Sequence, residues 1–146
     1  MVRSLFALAL AWLAVTGQAQ ARGPYGSITV GEWKGGAYTN DRTGTFSHCA
    51  AGATYKSGIY FVVSITDQLN WNLGFTHEDW KLTPGQAFPM ALTFDGRPAI
   101  NVHGEPLSAT LVKVSMPVKS ALIAQFRGAN VMTIFAQGQL FQFKLP

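Results

Sequence analysis

Residues 59–75 read IYFVVSITDQLNWNLGF, and this segment decides the class of fold. Every second side chain is apolar in both of its arms: Ile59, Phe61, Val63 and Ile65, then Trp71, Leu73 and Phe75. A period of two is typical of strands that bury one face, because successive side chains of a strand point to opposite sides. The polar stretch 67–70 favours a turn. We therefore predict an antiparallel hairpin made of residues 59–66 and 71–75.

Glycine and proline punctuate the rest of the chain at intervals of roughly 8 to 12 residues, which is the spacing of an all-β sandwich or barrel. Asp95-Gly96 and Gln137-Gly138 each separate two apolar runs. We expect a hairpin at each pair, and the Asp-Gly pair is the stronger signal because it tolerates the positive φ angles of a tight turn. Gly35-Gly36 instead suggests a loop over residues 34–44, after a first strand at 28–33.

One segment has helical character. Pro117 fits the first turn of a helix, and the residues that follow it up to position 127 are mostly good helix formers. The chain is therefore predicted to be mostly β, an antiparallel β-sandwich or barrel-like domain of eight or nine short strands with one short helix near residues 117–127. Strands and helices do not alternate, so a doubly wound nucleotide-binding fold is not expected.

The composition is that of a folded domain with few charges. Apolar residues make up 48% of the chain and charged residues 12%, which excludes a disordered protein because disorder requires low hydrophobicity and high charge. The formal net charge is +4, but the basic residues are scattered rather than clustered. Nucleic-acid binding needs a basic patch, so we expect no nucleic-acid partner. The abundance of apolar residues instead favours a protein partner.

The first 21 residues have the parts of a secretory signal peptide in the right order. Arg3 supplies a positive charge, residues 5–15 are apolar, and Ala19-Gln20-Ala21 is a small-x-small cleavage site. The apolar run is shorter than the roughly 18 residues that span a bilayer as a helix. We predict that cleavage after Ala21 removes residues 1–21 and leaves a single β-rich domain, residues 22–146, without a transmembrane segment. Its expected location is periplasmic or secreted.

Cys49 is the only cysteine in the chain, which is unusual for an exported protein because disulfides require an even number. It is either a buried structural thiol, the disulfide partner of another molecule, or a nucleophile. The first is favoured, because free cysteines are most often buried. His48 precedes it, but neighbours in a strand point to opposite faces, so a catalytic Cys–His pair is not expected.

Three side chains are candidates for a ligand or partner surface, namely Tyr38, His77 and Trp80. Trp33 and Trp71 fall in strand patterns and are predicted to be core residues. The polar segments His77-Glu78-Asp79 and His103-Gly104-Glu105 are expected to be exposed loops, and neither matches a spaced metal motif. No nucleophile motif or pair of placed carboxylates stands out. We predict no catalytic residue, no metal site and no cofactor.

The C-terminal half has a characteristic layout: a strand pair about Asp95-Gly96, VKVSMP at 112–117, ALIAQFRG at 121–128 and a last hairpin ending FQFKL at 141–145. Over residues 86–145 this layout resembles exported alphaproteobacterial domains of the invasion-associated locus B type. The resemblance implies a β-sandwich, an envelope or secreted location and no established enzymatic activity, and it transfers no functional residue. Such domains carry paired cysteines and a further short helix after the last strand. The lone Cys49 and the end at Pro146 therefore suggest a relative that is shortened at its C-terminus.

These features favour an exported non-enzymatic β-sandwich domain that binds a protein partner in the cell envelope or outside the cell. Two alternatives stay open: an exported enzyme of the thiol or hydrolase type, and a truncated accessory domain of a larger envelope protein. The thiol enzyme requires an exposed Cys49 with a histidine within about 3 Å. The accessory domain predicts an unpaired final strand or an uncovered apolar face near residues 141–145.

Overall fold

The computed structural model describes residues 22–146, so the predicted signal peptide, with its cleavage residues Ala19 and Ala21, lies outside the described part of the chain. Ten strands and one helix make up this part: β1 (Tyr25–Val30), β2 (Trp33–Thr39), β3 (Phe46–Thr54), β4 (Tyr60–Thr66), β5 (Trp71–Thr76), β6 (Phe88–Phe94), β7 (Ile100–Pro106), β8 (Leu111–Ser115), α1 (Ser120–Gly128), β9 (Val131–Ala136) and β10 (Gln139–Lys144). The predicted mostly-β, barrel-like fold with one short helix is confirmed.

All ten strands belong to one antiparallel sheet in the order β1-β2-β3-β4-β5-β8-β7-β6-β9-β10. The sheet curls into a half-barrel, so the apolar side chains of its concave inner face pack against one another. The strands thus form one curled layer rather than the two layers of a sandwich, and they number ten rather than eight or nine. β1 and β10 are the two edge strands.

The predicted hairpin at 59–75 is present as β4 and β5. Phe61 is opposite Phe75 in the register, and its ring stacks on that of Phe75 with centroids 4.8 Å apart. The rings of Trp33 and Phe143 approach Phe61 at 5.0 and 5.3 Å. Aromatic rings prefer such offset and edge-on arrangements, and this cluster forms the centre of the core. Trp33 and Trp71 are both buried, as predicted.

The loop predicted over residues 34–44 is wrong for its first half, and so is the single strand at 28–33. β1 and β2 instead form a hairpin, and Gly35 and Gly36 lie inside β2. A Cβ atom at Gly36 would lie 2.7 Å from a carbonyl oxygen of β1, and one at Gly35 would lie 2.6 Å from a Cα of β3. These glycines therefore permit a close approach of neighbouring strands. In the sequence alone, a Gly-Gly pair with this role cannot be distinguished from one that forms a turn.

The turn at Asp95-Gly96 has the positive φ angles predicted for it, 49° and 70°. The Asp95 carboxylate accepts hydrogen bonds from the backbone N–H groups of Asn130 and Val131 at 3.0 and 2.9 Å. These bonds, first of all the one from Val131, hold the pKa of Asp95 below its ordinary value. The β6–β7 turn is thereby attached to the start of β9. Gln137-Gly138 forms a second turn of the same kind, with φ angles of 52° and 71°.

The helix begins at Ser120, later than the predicted start at Pro117. Pro117 lies in the preceding connection, where its carbonyl oxygen accepts the indole N–H of Trp71 at 2.9 Å. On the helix, Phe126 places its ring 5.6 Å from that of Trp71 and 5.9 Å from that of Phe94. α1 therefore covers one end of the half-barrel.

Candidate functional site

The end of the half-barrel that α1 does not cover contains an apolar pocket of about 200 Å³. On β5, Trp71 contacts the helix and Phe75 lines the pocket; on β6, Phe94 contacts the helix and Met90 lines the pocket. Each pair is four residues apart, or about 13 Å along a strand at ~3.3 Å per residue. The helix thus covers one end of the inner face and leaves the other end accessible.

The pocket extends from exposed glutamine side chains at its opening to buried side chains of the core. Its floor consists of buried side chains from five strands and one turn: Ile59, Phe75, Met90, Val112, Ile134 and Phe143. Trp80, Leu82 and Phe88 form the upper wall and are half-buried, whereas Gln137 and Gln139 are exposed at the rim. Within residues 22–146, no charged side chain lines this pocket. The arrangement suits an apolar group that enters from solvent.

A glycine on β7 shapes one wall. A Cβ atom at Gly104 would lie 2.7 Å from the sulfur of Met90 and 2.8 Å from the ring of Phe88. The bare backbone therefore lets both side chains lie against β7. The prediction of an exposed loop at 103–105 is wrong, because these residues continue β7, with His103 and Glu105 exposed and Gly104 buried between them.

Of the predicted surface residues, Trp80 lines the pocket, and His77 packs against Trp80 without lining the pocket itself. Their rings are stacked with centroids 5.8 Å apart. The backbone N–H of Asp79 donates to His77 Nδ1 at 3.1 Å, so Nε2 carries the hydrogen and donates to the Ser57 carbonyl at 3.1 Å. Gly58 leaves the space for this bond, since a Cβ there would lie 2.9 Å from Nε2. Both imidazole nitrogens are engaged, so His77 holds the loop that carries Trp80.

Tyr38 is not part of this site. Its ring stacks on that of His48 with centroids 5.1 Å apart and an interplanar angle of 10°. The two residues are paired across β2 and β3, and they lie on the outer face because their strand neighbours Ala37 and Cys49 lie on the inner face. The sheet therefore separates Tyr38 from Trp80, and the three predicted surface residues do not form one platform.

Cys49 lies on the inner face of β3, between Ala37 and Ile65 of the neighbouring strands. Its side chain is half-buried rather than fully buried. His48 points to the opposite face, and its Nδ1 lies 3.0 Å from the hydroxyl oxygen of Ser47. In the described part of the chain, no histidine is hydrogen-bonded to Cys49, and no three His, Cys, Asp or Glu side chains are grouped so that they could hold a metal ion.

The last strand has a free edge but a covered apolar face. β10 pairs with β9 alone among the described strands, whereas Phe143 and Leu145 are buried. The Tyr55 hydroxyl donates to the Lys144 carbonyl at 2.6 Å, which fastens β10 to the β3–β4 turn. Burial raises the pKa of Tyr55. The final strand that an accessory domain would leave unpaired is thus paired with β9 along one side, and Phe143 and Leu145 near its end are buried.

Comparisons with known proteins add no family and no relative to this description. No protein-family model matches the chain, and no curated protein and no solved structure matches it. Among the helical residues of the part from 22 to 146, none belongs to a helix long and apolar enough to cross a membrane. The fold and the site define a mostly-β half-barrel domain with an apolar pocket at its accessible end.

Proposed function

We propose that the protein is an exported, non-enzymatic binding domain that holds an apolar group of its partner in the pocket at the accessible end of the half-barrel. The observation that carries this proposal is the pocket of about 200 Å³ itself, which has an apolar floor and Trp80 in its upper wall. The mouths of β-barrels and half-barrels are frequent ligand sites, because a curled sheet leaves space between its inner side chains where it is not capped.

The size of the pocket supports a binding role. An engineered apolar cavity of about 150 Å³ stays dry and binds benzene, so a pocket of about 200 Å³ accepts an aromatic ring or a short hydrocarbon chain. Burial of each CH₂ group is worth about 0.8 kcal/mol, and six of them provide about 5 kcal/mol before the cost of association is subtracted. That is sufficient for reversible binding.

The location and the absence of catalysis rest on separate observations. Residues 1–21 have the charge, the apolar run and the cleavage triplet of a signal peptide, and the layout of residues 86–145 resembles that of exported domains. The described residues provide neither a base for Cys49 nor a charged side chain in the pocket. A binding domain of the periplasm or the extracellular space accounts for all of these features.

Export is tested by expressing the full chain in a bacterium and measuring the intact mass in each fraction. We expect a mature chain that begins at Arg22 in the periplasm or the medium. Replacing Ala19 and Ala21 with aspartate should leave the uncleaved chain in the membrane fraction, because the peptidase requires small residues there. An uncleaved wild-type chain in the cytoplasm would contradict the proposal.

Binding at the pocket is tested by photo-crosslinking in intact cells. A photoreactive residue replaces Gln139, which lines the pocket, and in a matched variant it replaces Gln142, which is exposed on the outer face of the same strand. We expect a defined adduct from position 139 and none from position 142. Equal yields at both positions, or no adduct at all, would refute this site.

A further inference from the structure

The lining of the pocket specifies the ligand more closely than apolarity alone. We infer that the pocket binds a small neutral amphiphile, with a hydrocarbon part of about six to seven carbons and an uncharged head group that forms hydrogen bonds. This inference rests on the proposed function and adds the class of ligand. Three properties of the pocket carry it: the gradient from floor to rim, the lack of charge and the volume.

The gradient sets the orientation of the ligand. Val112, Ile134 and Phe143 at the floor are 3%, 2% and 2% exposed, whereas Gln137 and Gln139 at the rim are exposed. Apolar atoms gain the most binding free energy at the floor, where water is excluded. A polar group loses the least hydration free energy at the rim, where solvent and the amides of Gln137 and Gln139 can form hydrogen bonds with it. A ligand with one apolar end and one polar end therefore enters with its apolar end first.

The rim selects an uncharged head group. Glutamine side chains offer both a carbonyl acceptor and an NH₂ donor, so they match hydroxyl, amide and ester groups equally well. Within residues 22–146, the lining contains no side chain that could neutralise an ammonium or a carboxylate. A charged head group would be partly desolvated without an opposite charge, which weakens its binding.

The volume limits the length of the hydrocarbon part. A pocket of about 200 Å³ is larger than the cavity of about 150 Å³ that holds benzene and provides space for roughly six to seven groups the size of a water molecule, at ~30 Å³ each. A chain of that length fills the pocket. Additional carbons would extend past Gln137 and Gln139 into solvent and contribute little.

The experiment measures the binding of 1-alkanols from butanol to decanol to the mature chain by calorimetry, with tryptophan emission as a second readout. The dissociation constant should fall about fourfold per added methylene, which corresponds to ~0.8 kcal/mol each, and should level off near seven carbons. Hexylammonium and hexanoate should bind several-fold more weakly than hexanol. The Trp80→Phe variant should lose most of the emission change, because Trp80 is the tryptophan that lines the pocket.

Two substitutions at one position test the site and the length limit. Ala136 is buried and lines the pocket, so Ala136→Phe should abolish alkanol binding, whereas Ala91→Phe on the outer face of the paired strand should not. Ala136→Leu adds three carbons, so the chain length at which affinity levels off should fall by about three. This milder variant keeps the test decisive if Ala136→Phe does not fold.

The outcomes separate this inference from the proposed function. Failure of the wild-type chain to bind alkanols saturably, or an unchanged length limit in Ala136→Leu, overturns the inference. If the adduct from position 139 has the mass of a protein rather than of a small amphiphile, the ligand class is wrong while the binding function stands. Absence of both export and adduct overturns the proposed function itself.

Discussion

Replacing Phe61 with alanine is the most direct test of the curled sheet, because this ring lies at the centre of the inner face. Phe61 is 0% exposed, and three other rings lie with their centroids within 4.8 to 5.3 Å of its own. Truncating a buried phenylalanine typically costs about 3–5 kcal/mol, made up of the lost transfer free energy and the cavity that remains. Each aromatic pair adds about 0.5–1.5 kcal/mol beyond area burial, so we expect the upper part of that range.

The matched control is Tyr60→Ala, the neighbouring aromatic residue on the same strand. Tyr60 is 41% exposed and points to the outer face, where it lies over Gly52. Its removal should cost at most about 1 kcal/mol, because surface substitutions have small effects. The two variants change the β propensity of the strand similarly. The difference between their losses of stability therefore measures whether the side chain lies on the buried or the exposed face of the sheet.

Urea unfolding, followed by circular dichroism, measures both changes. With a slope of about 2 kcal/mol per molar urea, Phe61→Ala should lower the midpoint by roughly 2 M and Tyr60→Ala by no more than about 0.5 M. The reasoning would be refuted by equal shifts for the two variants or by a larger shift for Tyr60→Ala, since either result would place Tyr60 on the buried face.

Three further changes and one matched control substitution test single features of the fold. Tyr55→Phe removes the hydroxyl that donates to the Lys144 carbonyl and should lower the free energy of unfolding by about 1 kcal/mol, measured by urea titration. Asp95→Asn should flatten acid unfolding: the pKa of Asp95 is lowered in the fold, so its contribution is complete above pH ~4 and disappears as the pH falls through the folded-state value. Gly35→Ala should destabilise the β2–β3 pair because its Cβ collides with backbone, whereas Gly128→Ala, with open space at the end of α1, should raise stability by about 0.5–1 kcal/mol in thermal unfolding.

Each of these expectations has a contrary result. An unchanged midpoint for Tyr55→Phe would mean that the hydroxyl does not fasten β10. A wild-type chain and an Asp95→Asn variant with parallel stability curves between pH 2 and 5, roughly the range in which aspartate titrates, would exclude the carboxylate as the acid-sensitive group. A stable Gly35→Ala variant would show that β2 and β3 do not approach as closely as described.

The parts of the fold that could be predicted are those specified by neighbouring residues. The hairpin at 59–75 follows from the alternation of apolar residues within each arm. This alternation indicates that one face of the strand is buried, and it does not depend on which part of the chain covers that face. The turn at Asp95-Gly96 follows from the tolerance of these two residues for positive φ. The helix predicted near 117–127 begins three residues later, at Ser120, because Pro117 accepts a hydrogen bond from Trp71, which is distant in the chain.

The parts that could not be predicted depend on distant residues. Gly35 and Gly36 resemble a turn in the sequence, and only the closeness of β1 and β3 makes them strand residues. Trp80 follows two acidic residues in a polar stretch, which predicts a surface position, and it lines the pocket. Phe88 and Gln139 carry no such signal in the sequence, because Phe88 resembles a core residue and Gln139 resembles an ordinary polar residue at the start of the last strand.

The sequence by itself determined the class of this protein: an antiparallel β domain with a late short helix, tight turns at Asp95-Gly96 and Gln137-Gly138, and the signal-peptide pattern on which the export proposal rests. Only the tertiary structure decided that β5 pairs with β8 and β6 with β9, and that one end of the curled sheet is covered by α1 while the other contains a pocket. Alternation and turn preferences act over a few residues. Strand order and cavities arise from the burial of surfaces that lie far apart in the chain, so no local pattern records them.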